Sequence, residues 1–294
     1  MKSGFVAIVG KPNAGKSTLI NALLNKKIAI TTYKAQTTRN SILGILNRDD
    51  LQIVFIDTPG IHEATTYLGS YMNKEAYAQA NGADLIYYMV DGSKGMTSAD
   101  KKVLDKLFAY EIPIFCILNK IDEVSNDKLI QRCSYASSNF DFKEIIPISA
   151  LKKDNLDELL KTTEGYLNDG ILYYPKDQEE ISTLDFKISE IIREKIILNT
   201  EKEVPHLTAV KIDEYKEGES KVKIEASIIV NKASHKGIII GKQGNMLKKI
   251  NDAASTDIAK LVNKKVYLSL YVKVEEDWLN KEKKLFDLGY FNEN

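Results

Sequence analysis

The sequence predicts two fold classes in one chain: an α/β domain with a mostly parallel sheet and helices on both faces, then a smaller α+β domain. Three observations predict them. The apolar run Phe5-Val6-Ala7-Ile8-Val9 enters a glycine-rich turn and leaves it as a helix. Strand-like and helix-like segments then alternate as far as Leu167, the order of a parallel sheet. Beyond the polar, proline-containing stretch Tyr173 to Glu180 the order changes to helix, two alternating strands, two helices and a strand. The expected boundaries are 1–170 for the first domain, 171–182 for a linker and 183–294 for the second domain with a C-terminal tail.

Composition narrows the class. Apolar residues make up 44% and charged residues 28% of the 294, the balance of a soluble globular protein. Lys+Arg and Asp+Glu both number 41, so only local charge can point to a partner. Cys116 and Cys133 have no metal-ligand spacing and form no disulfide framework, which fits a reducing compartment. No apolar stretch reaches the roughly eighteen residues a spanning helix needs. The first strand begins so early that no room is left for a signal peptide, and a cytoplasmic location is expected.

The turn after the first strand reads Gly10-Lys11-Pro12-Asn13-Ala14-Gly15-Lys16-Ser17. It matches G-x-x-x-x-G-K-[ST] in the context that a phosphate-binding loop requires, between a strand and a helix starting near Ser17. Its backbone N–H groups turn inward, and the helix N-terminus adds its positive end. Lys16 is expected to reach the outer phosphates and Ser17 to ligate Mg2+. The polar segment Ala29 to Arg39 reads as a loop, with hydroxyls where a second magnesium ligand must arise.

Ser41 to Asn47 and Leu51 to Ile56 read as two strands, the second ending in Asp57-Thr58-Pro59-Gly60. D-x-x-G is uninformative alone but informative at a strand end downstream of a phosphate loop. Asp57 is expected to hold the magnesium ion through water, and the Gly60 N–H to meet the terminal phosphate. The strand Ile112 to Leu118 runs into Asn119-Lys120-Ile121-Asp122, and the strand Glu144 to Ile148 into Ser149-Ala150-Leu151. A carboxylate at Asp122 accepts two hydrogen bonds from the N1–H and exocyclic amine of guanine, a pair that adenine lacks, which rejects adenine strongly. Lys120 is expected to lay its stem over the base, and the Ala150 N–H to meet the guanine carbonyl. Gly10, Asp57, Asn119 and Ser149 all fall at carboxyl ends of strands, where open α/β sheets bind ligands.

These signatures together resemble those of translation-factor-related GTPases. Gly10-x-Pro12-Asn13-x-Gly15-Lys16-Ser17 with Ala35-Gln36-Thr37-Thr38-Arg39 resembles the Era subgroup. The resemblance implies an α/β P-loop GTPase domain that binds GTP and GDP with Mg2+ held by Ser17, Thr38 and Asp57. Its chemistry is phosphoryl transfer to water, in which positioning and charge neutralisation do most of the catalysis. Lys16, Thr38, Gly60 and Asn13 are the candidate catalytic residues, and the nucleotide-binding segments extend through Thr58, Pro59 and Ile61. Ras-like enzymes carry a water-orienting glutamine directly after the D-x-x-G glycine, where this chain has Ile61. His62 is the nearest alternative base and reads as a mobile surface residue. In related GTPases with a hydrophobic residue here, an asparagine matching Asn13 helps to bind K+, so slow, potassium-stimulated hydrolysis is expected.

In the second half a helix from Thr183 to about Leu198 precedes strands His206 to Tyr215 and Lys221 to Val230. A short helix, Lys232 to Ile240, then leads into Gly241-Lys242-Gln243-Gly244, a second helix, Asn245 to Val262, and a strand, Lys265 to Val274. That order, with G-x-x-G between two helices, resembles the permuted (type II) KH domain, whose glycine loop clamps about four nucleotides of single strand. Lys236, Gly241, Lys242, Gln243, Gly244, Lys248 and Lys249 are the candidate RNA-binding residues. From Asn231 to Lys265 lysines far outnumber the acids Asp252 and Asp257, the footprint of a phosphate-binding face.

The Era resemblance extends here through Glu203-Val204-Pro205-His206, Gly237 to Gly244 and Val272-Lys273-Val274-x-x-Asp277-Trp278. It implies a monomer that binds the 3′ end of 16S rRNA, assists 30S ribosomal subunit assembly and makes peripheral contact with the inner face of the cell membrane. GTP is expected to order the loops around Thr38 and Gly60 and so bias how the KH domain sits, which would link nucleotide state to RNA affinity. Two residues depart from the family pattern: Ser255 stands where Arg is usual, and Asn263 where Gly is usual. The alternative reading is an RNA-binding assembly chaperone that senses guanine nucleotide without significant turnover.

Overall fold

The structure is a computed structural model that describes residues 1–32, 34 and 37–291. Ala35 and Gln36 of the family-like segment lie outside the described residues. The chain divides into two compact units, 1–65 with 69–181 and 66–68 with 182–294.

The first unit is built on one sheet. Its strands are β1 (Lys2–Gly10), β2 (Ile42–Arg48), β3 (Leu51–Asp57), β4 (Leu85–Asp91), β5 (Ile114–Asn119), β6 (Glu144–Pro147), β7 (Asn168–Asp169) and β8 (Glu180–Ile181). They lie in the order β6-β5-β4-β1-β3-β2-β8, with β7 beside β1. β1, β3, β4, β5 and β6 are mutually parallel, whereas β2 is antiparallel to β3 and β8 to β2. The parallel strands are covered on both faces, which is why they read as unbroken apolar runs rather than alternating ones. Tyr87 and Tyr88 of β4 show the two sides, because adjacent strand residues point to opposite faces.

The helices of this unit are α1 (Lys16–Leu23), α2 (Tyr67–Asn81), α3 (Ser98–Phe108), α4 (Asn126–Asn139) and α5 (Leu156–Tyr166). The Tyr88 hydroxyl donates to Asp100 Oδ1 of α3 at 2.7 Å, while the Tyr87 hydroxyl shares a hydrogen bond with Thr163 of α5 on the other face. Cys116 is a fully buried core residue of β5, as its apolar surroundings predict. α2 was not foreseen. Leu68, Met72, Ala76 and Ala80 are buried at a spacing of four, one helical face, but the two alanines carry too little apolar bulk to stand out in a polar run.

The expected linker is bound to the sheet along much of its length. Gln52 of β3 receives the Tyr173 and Tyr174 N–H groups at its Oε1 (2.8 and 3.1 Å) and donates from Nε2 to the Tyr174 carbonyl (2.8 Å). β8 follows, adding a short edge beside β2.

The second unit comprises α6 (Leu184–Asn199), β9 (Thr208–Glu217), β10 (Lys221–Val230), α7 (Ala233–Ile240), α8 (Asn245–Val262), β11 (Lys265–Val274) and α9 (Glu282–Asp287). Its sheet has the order β11-β10-β9, with β10 parallel to β11 and antiparallel to β9. α6, α7 and α8 supply Ile188, Ile192, Ile196, Ile239, Ile250, Ala254 and Ile258 to one core beneath the sheet. Trp278, just beyond β11, is fully buried and donates from its indole N–H to the Leu207 carbonyl at 3.1 Å.

α8 stops at Asn263, whose φ of 50° is left-handed. Glycine is the usual residue at such a helix end and asparagine the next best, so the departure from the family pattern keeps the cap. Asn263→Ala is expected to lower the stability of the second unit by about 1 kcal/mol, and Asn263→Gly to leave it level or raise it. Urea unfolding of the full chain, followed by Trp278 fluorescence, measures both.

Candidate functional site

The turn after β1 meets three neighbours, the end of β5, the segment after β3 and the start of α3. Gly15 has a φ of 100°, and a Cβ there would lie 2.2 Å from Asn119 Nδ2, so conformation and contact both require glycine. Gly60 is constrained by contact alone, because its Cβ would meet the Pro12 backbone N at 2.8 Å. Lys11 Nζ reaches out of the turn to Thr97 Oγ1 and Asp100 Oδ2, each at 2.5 Å, at the capping box that opens α3. Burial pushes the Asp100 carboxyl up, but bonds from Lys11, Tyr88 and Thr97 outweigh it and leave it below the usual carboxylate range.

Lys16 is buried and donates to the carbonyls of Gly10 (3.2 Å) and Lys11 (3.0 Å). Burial lowers its pKa to about 8, against the opposing pull of Asp57. Asp57, fully buried, is pushed up by the same loss of water, although Lys16, Ser17 and Thr38 counter it. The three residues expected to share a metal ion do converge. Ser17 Oγ donates to Asp57 Oδ2 at 2.7 Å, Thr38 Oγ1 donates to the same oxygen at 3.2 Å, and the two hydroxyl oxygens are 2.7 Å apart. Asp57 Oδ1 is buried with no hydrogen-bond partner. An unpaired buried carboxylate oxygen beside two hydroxyls is a hard-donor set that fits a magnesium ion.

The loops expected to select the base meet at Asn119. Its Nδ2 donates to the Ala14 carbonyl at 2.8 Å, and its Oδ1 accepts the Ala150 N–H at 2.9 Å. One side chain thus joins the phosphate turn to the loop after β6. The Ala150 N–H, expected at the guanine carbonyl, is therefore already engaged. Ser149 Oγ donates to Asp122 Oδ1 at 2.5 Å, which orients that carboxylate. Asp122 is exposed and open to a ligand. Lys120, at a φ of 67°, donates from Nζ to Asp91 Oδ2 at 2.7 Å. Asp91 also accepts from the Ser93 N–H and hydroxyl; burial pushes its carboxyl up, yet these bonds hold it below the ordinary range.

An open cleft lies at the phosphate turn, lined among others by Asn13, Lys16, Ser17, Thr38 and Gly60. Thr18, Ile30, Thr31, Thr32 and Thr37 also line it; the last four belong to the loop expected to supply a second magnesium ligand, and Thr18 was not foreseen. Two members of the Asp57 segment face elsewhere. Thr58 is fully buried, with its hydroxyl on the Ile8 carbonyl at 2.8 Å. Ile61 joins the core beside Ala7 and Val9, and its N–H donates to the Gly10 carbonyl at 3.1 Å. Pro59 is buried between them. His62 is half-buried rather than a mobile surface residue: Nδ1 lies 2.8 Å from the Gly60 carbonyl oxygen, and Asn73 Nδ2 donates to its backbone carbonyl at 2.7 Å. Asp91 and the Lys11–Asp100 pair were missed by sequence reasoning. The only available signal was an acid at the carboxyl end of β4 and a Thr-x-x-Asp capping pattern.

In the second unit the Gly241 to Gly244 turn separates α7 from α8. Gly241 and Gly244 have φ of 71° and 78°, and Gln243 is also left-handed at 53°. A Cβ at Gly241 would lie 2.6 Å from Met246 Cβ, so the turn can only be this close with glycine. The first turn of α8 carries no acid, and Lys236, Lys242, Lys248 and Lys249 of the adjoining segments are all exposed. Together with the open N-terminus of α8 they form a surface suited to phosphate. Two other lysines of this segment are engaged: Lys260 pairs with Asp257 at 3.0 Å and Lys264 with Glu217 at 2.6 Å. Ser255 is half-buried and donates to Asn251 Oδ1 at 3.3 Å, while Asn251 Nδ2 bonds the Leu268 carbonyl of β11.

Residues 5–120 match the family described as 50S ribosome-binding GTPase, and residues 203–279 match the KH domain family. The chain is 46% identical over 291 residues to the GTPase Era of Clostridium kluyveri, covering 99% of both chains. The structure is similar to a point variant of Aquifex aeolicus Era bound to GDP and AlF4−, with a TM-score of 0.95, 39% identity and 99% of each chain covered. It is similar also to Era in complex with MgGDPNP and nucleotides 1506–1542 of 16S ribosomal RNA, with a TM-score of 0.96 at the same identity and coverage.

The buried ammonium generates a stability prediction. Lys16 titrates near 10.5 in the unfolded chain and at about 8 in the folded one. Keeping it charged therefore costs folding stability in full below pH 8, and the cost fades as pH rises toward 10.5. Stability of the ligand-free chain is therefore expected to rise between pH 8 and pH 10.5, and Lys16→Met to remove that rise. Thermal unfolding of both proteins across that range reads the effect.

Proposed function

The chain belongs to the Era family of GTPases, and from that premise we propose that the cleft in its first unit is the site of GTP hydrolysis and the glycine turn in its second unit the RNA clamp. The protein is a GTPase that binds 16S rRNA and acts in 30S subunit assembly. The observation that carries the placement of the site is Asp57 Oδ1, buried and unpaired beside Ser17, Thr38 and the ammonium of Lys16.

Ser17, Thr38 and Asp57 would hold Mg2+, which when bound neutralises phosphate charge as the leaving group departs. Lys16 gains phosphate oxygens as partners, which restores the charge that burial disfavours and adds a cation at the transferred group. Gly60 brings its backbone to the Pro12 edge of the phosphate turn, where its N–H would meet the terminal phosphate. Asp122, oriented by Ser149, selects guanine, and Asn119 ties that selection to the phosphate turn. For Lys120 to cover the base, its bond to Asp91 must hold the stem at the correct height rather than the ammonium on the ligand.

Among the described cleft-lining residues none is a general base, so hydrolysis rests on positioning and is slow. The Aquifex relative bound to GDP and AlF4− supports turnover over nucleotide sensing alone. Asn13, on the cleft rim, offers a carboxamide oxygen for K+. In the second unit Gly241 to Gly244 with Lys236, Lys242, Lys248 and Lys249 would clamp the 3′ end of 16S rRNA. RNA binding and the GTP state are coupled, each favouring the other by the same factor. The family resemblance supports a monomer. It also supports peripheral membrane contact; no helix of the described residues is long and apolar enough to cross a membrane.

Two measurements test the site. Asp122→Asn is expected to weaken GTP binding by about a hundredfold or more, because an amide oxygen cannot take both guanine donors, with little change in thermal stability. Single-turnover hydrolysis is expected to run faster in potassium than in sodium, and Asn13→Ala to abolish the difference. Equal rates in both salts for the unmodified protein would remove potassium from the mechanism.

A further inference from the structure

One face of the second unit's sheet lies away from its helices. Val222, Ile224, Ala226 and Ile228 of β10 face the helical core, so the residues between them face outward. The same alternation on β11 turns Lys265, Tyr267, Ser269 and Tyr271 outward, in register with Lys221, Lys223, Glu225 and Ser227 of β10. Tyr267 and Tyr271 are 47% and 48% exposed. Tyrosine suits any strand, and most exposed strand tyrosines pack on a large cross-strand neighbour. Here the residues opposite are a lysine and a serine, and neither ring has an aromatic partner among the described residues.

The charge around the rings is lopsided. Lys265 Nζ sits 5.2 Å from the Tyr267 ring centre, and a bond from Lys265, with the nearby Lys221 and Lys223, holds the Tyr267 hydroxyl below its ordinary pKa. Among the described residues Lys221, Lys223 and Lys265 have no carboxylate ion-pair partner. The acids of this face are mostly engaged: Glu214 pairs with Lys216 at 2.5 Å, and Asp213 accepts the Ser227 hydroxyl and lies 3.7 Å from Lys273. Glu225 is the exception. The result is two exposed rings, about 13 Å apart along one strand, with three ammonium groups that have no carboxylate partner at the Tyr267 end.

We propose that this outer face is a second RNA contact, distinct from the Gly241 to Gly244 turn. Unpaired bases of a single strand stack on Tyr267 and Tyr271 while Lys221, Lys223 and Lys265 hold its phosphates. Stacking on aromatic rings and lysine neutralisation of phosphate are the two interactions that single-strand platforms combine, and both are assembled here on one exposed face. Duplex RNA, with its bases inside, could use only the lysines. The inference rests on the second unit's being the RNA-binding one.

The test compares the full chain with Tyr267→Ala/Tyr271→Ala and Tyr267→Phe/Tyr271→Phe, by fluorescence anisotropy on two labelled RNA strands. One strand, of about six nucleotides, fits the glycine turn alone; the other, of about twenty-four, can reach both faces. The double Ala variant is expected to weaken the long strand about tenfold or more, to leave the short one unchanged, and to be rescued by the double Phe variant. Unchanged affinity for the long strand would overturn the proposal and leave the face to a protein partner. Equal loss on both strands would also overturn it, by placing the tyrosines in the first clamp or in the fold. Gly241→Asp is the separate control. If it leaves short-strand binding intact the clamp assignment fails, while the long-strand comparison still decides the role of the tyrosines.

Discussion

A carboxylate and an ammonium, both removed from water at the carboxyl ends of adjacent parallel strands, set the terms for the first unit. Asp57 and Lys16 lie where the ends of β1 and β3 meet, each destabilised in its charged form by burial and each partly restored by the other. Taking ions out of water is costly, and the arrangement leaves one oxygen of Asp57 without a partner. Such a site is poorly satisfied alone and well satisfied by a cation with a phosphate. The electrostatic cost of the ligand-free pocket is thus a source of affinity for the ligand, and the surrounding elements keep it from relaxing.

Those elements act through individual side chains that bridge loops. Asn119 ties the phosphate turn to the loop after β6, Lys11 ties the same turn to the start of α3, and Asp91 holds Lys120. Each bridge starts from a strand end or helix start fixed by packing of the sheet, so the loops inherit the rigidity of the core. Preorganisation of this kind suits the proposed site, where no described cleft-lining residue is a general base, since a correctly held water and a neutralised phosphate are then the means of acceleration. Buried Thr58 and Ile61 belong to the same scheme. They anchor the segment from Asp57 to Gly60 against β1 and so position its backbone, whatever their own side chains do.

The second unit solves a different problem. It must approach a flexible, highly charged strand closely while being part of a chain with no net charge. At the proposed clamp, glycines permit the approach at the turn between α7 and α8, and lysines left outside ion pairs supply the local charge. The intramolecular pairs are informative in the same way: Lys260 and Lys264 are neutralised by Asp257 and Glu217, so the positive surface narrows to the turn itself and to the outer sheet face.

The sequence by itself determined the order of elements, the two domain types and the identity of the nucleotide motifs, because these depend on local patterns. Apolar runs mark strands buried on both faces, glycines mark tight turns and close backbone approaches, and Asp57 and Asn119 mark strand ends. α2 escaped notice because alanines spaced by four bury well but look weakly apolar. Only the tertiary structure decided which side chains meet. It set Asn119 against Ala14 and Ala150, Lys120 against Asp91 and Lys11 against Asp100, turned Thr58 and Ile61 inward, and left Tyr267 and Tyr271 outside beside unpaired lysines. Those contacts join residues far apart in the chain, and their geometry follows from strand order and register, which a one-dimensional pattern does not carry.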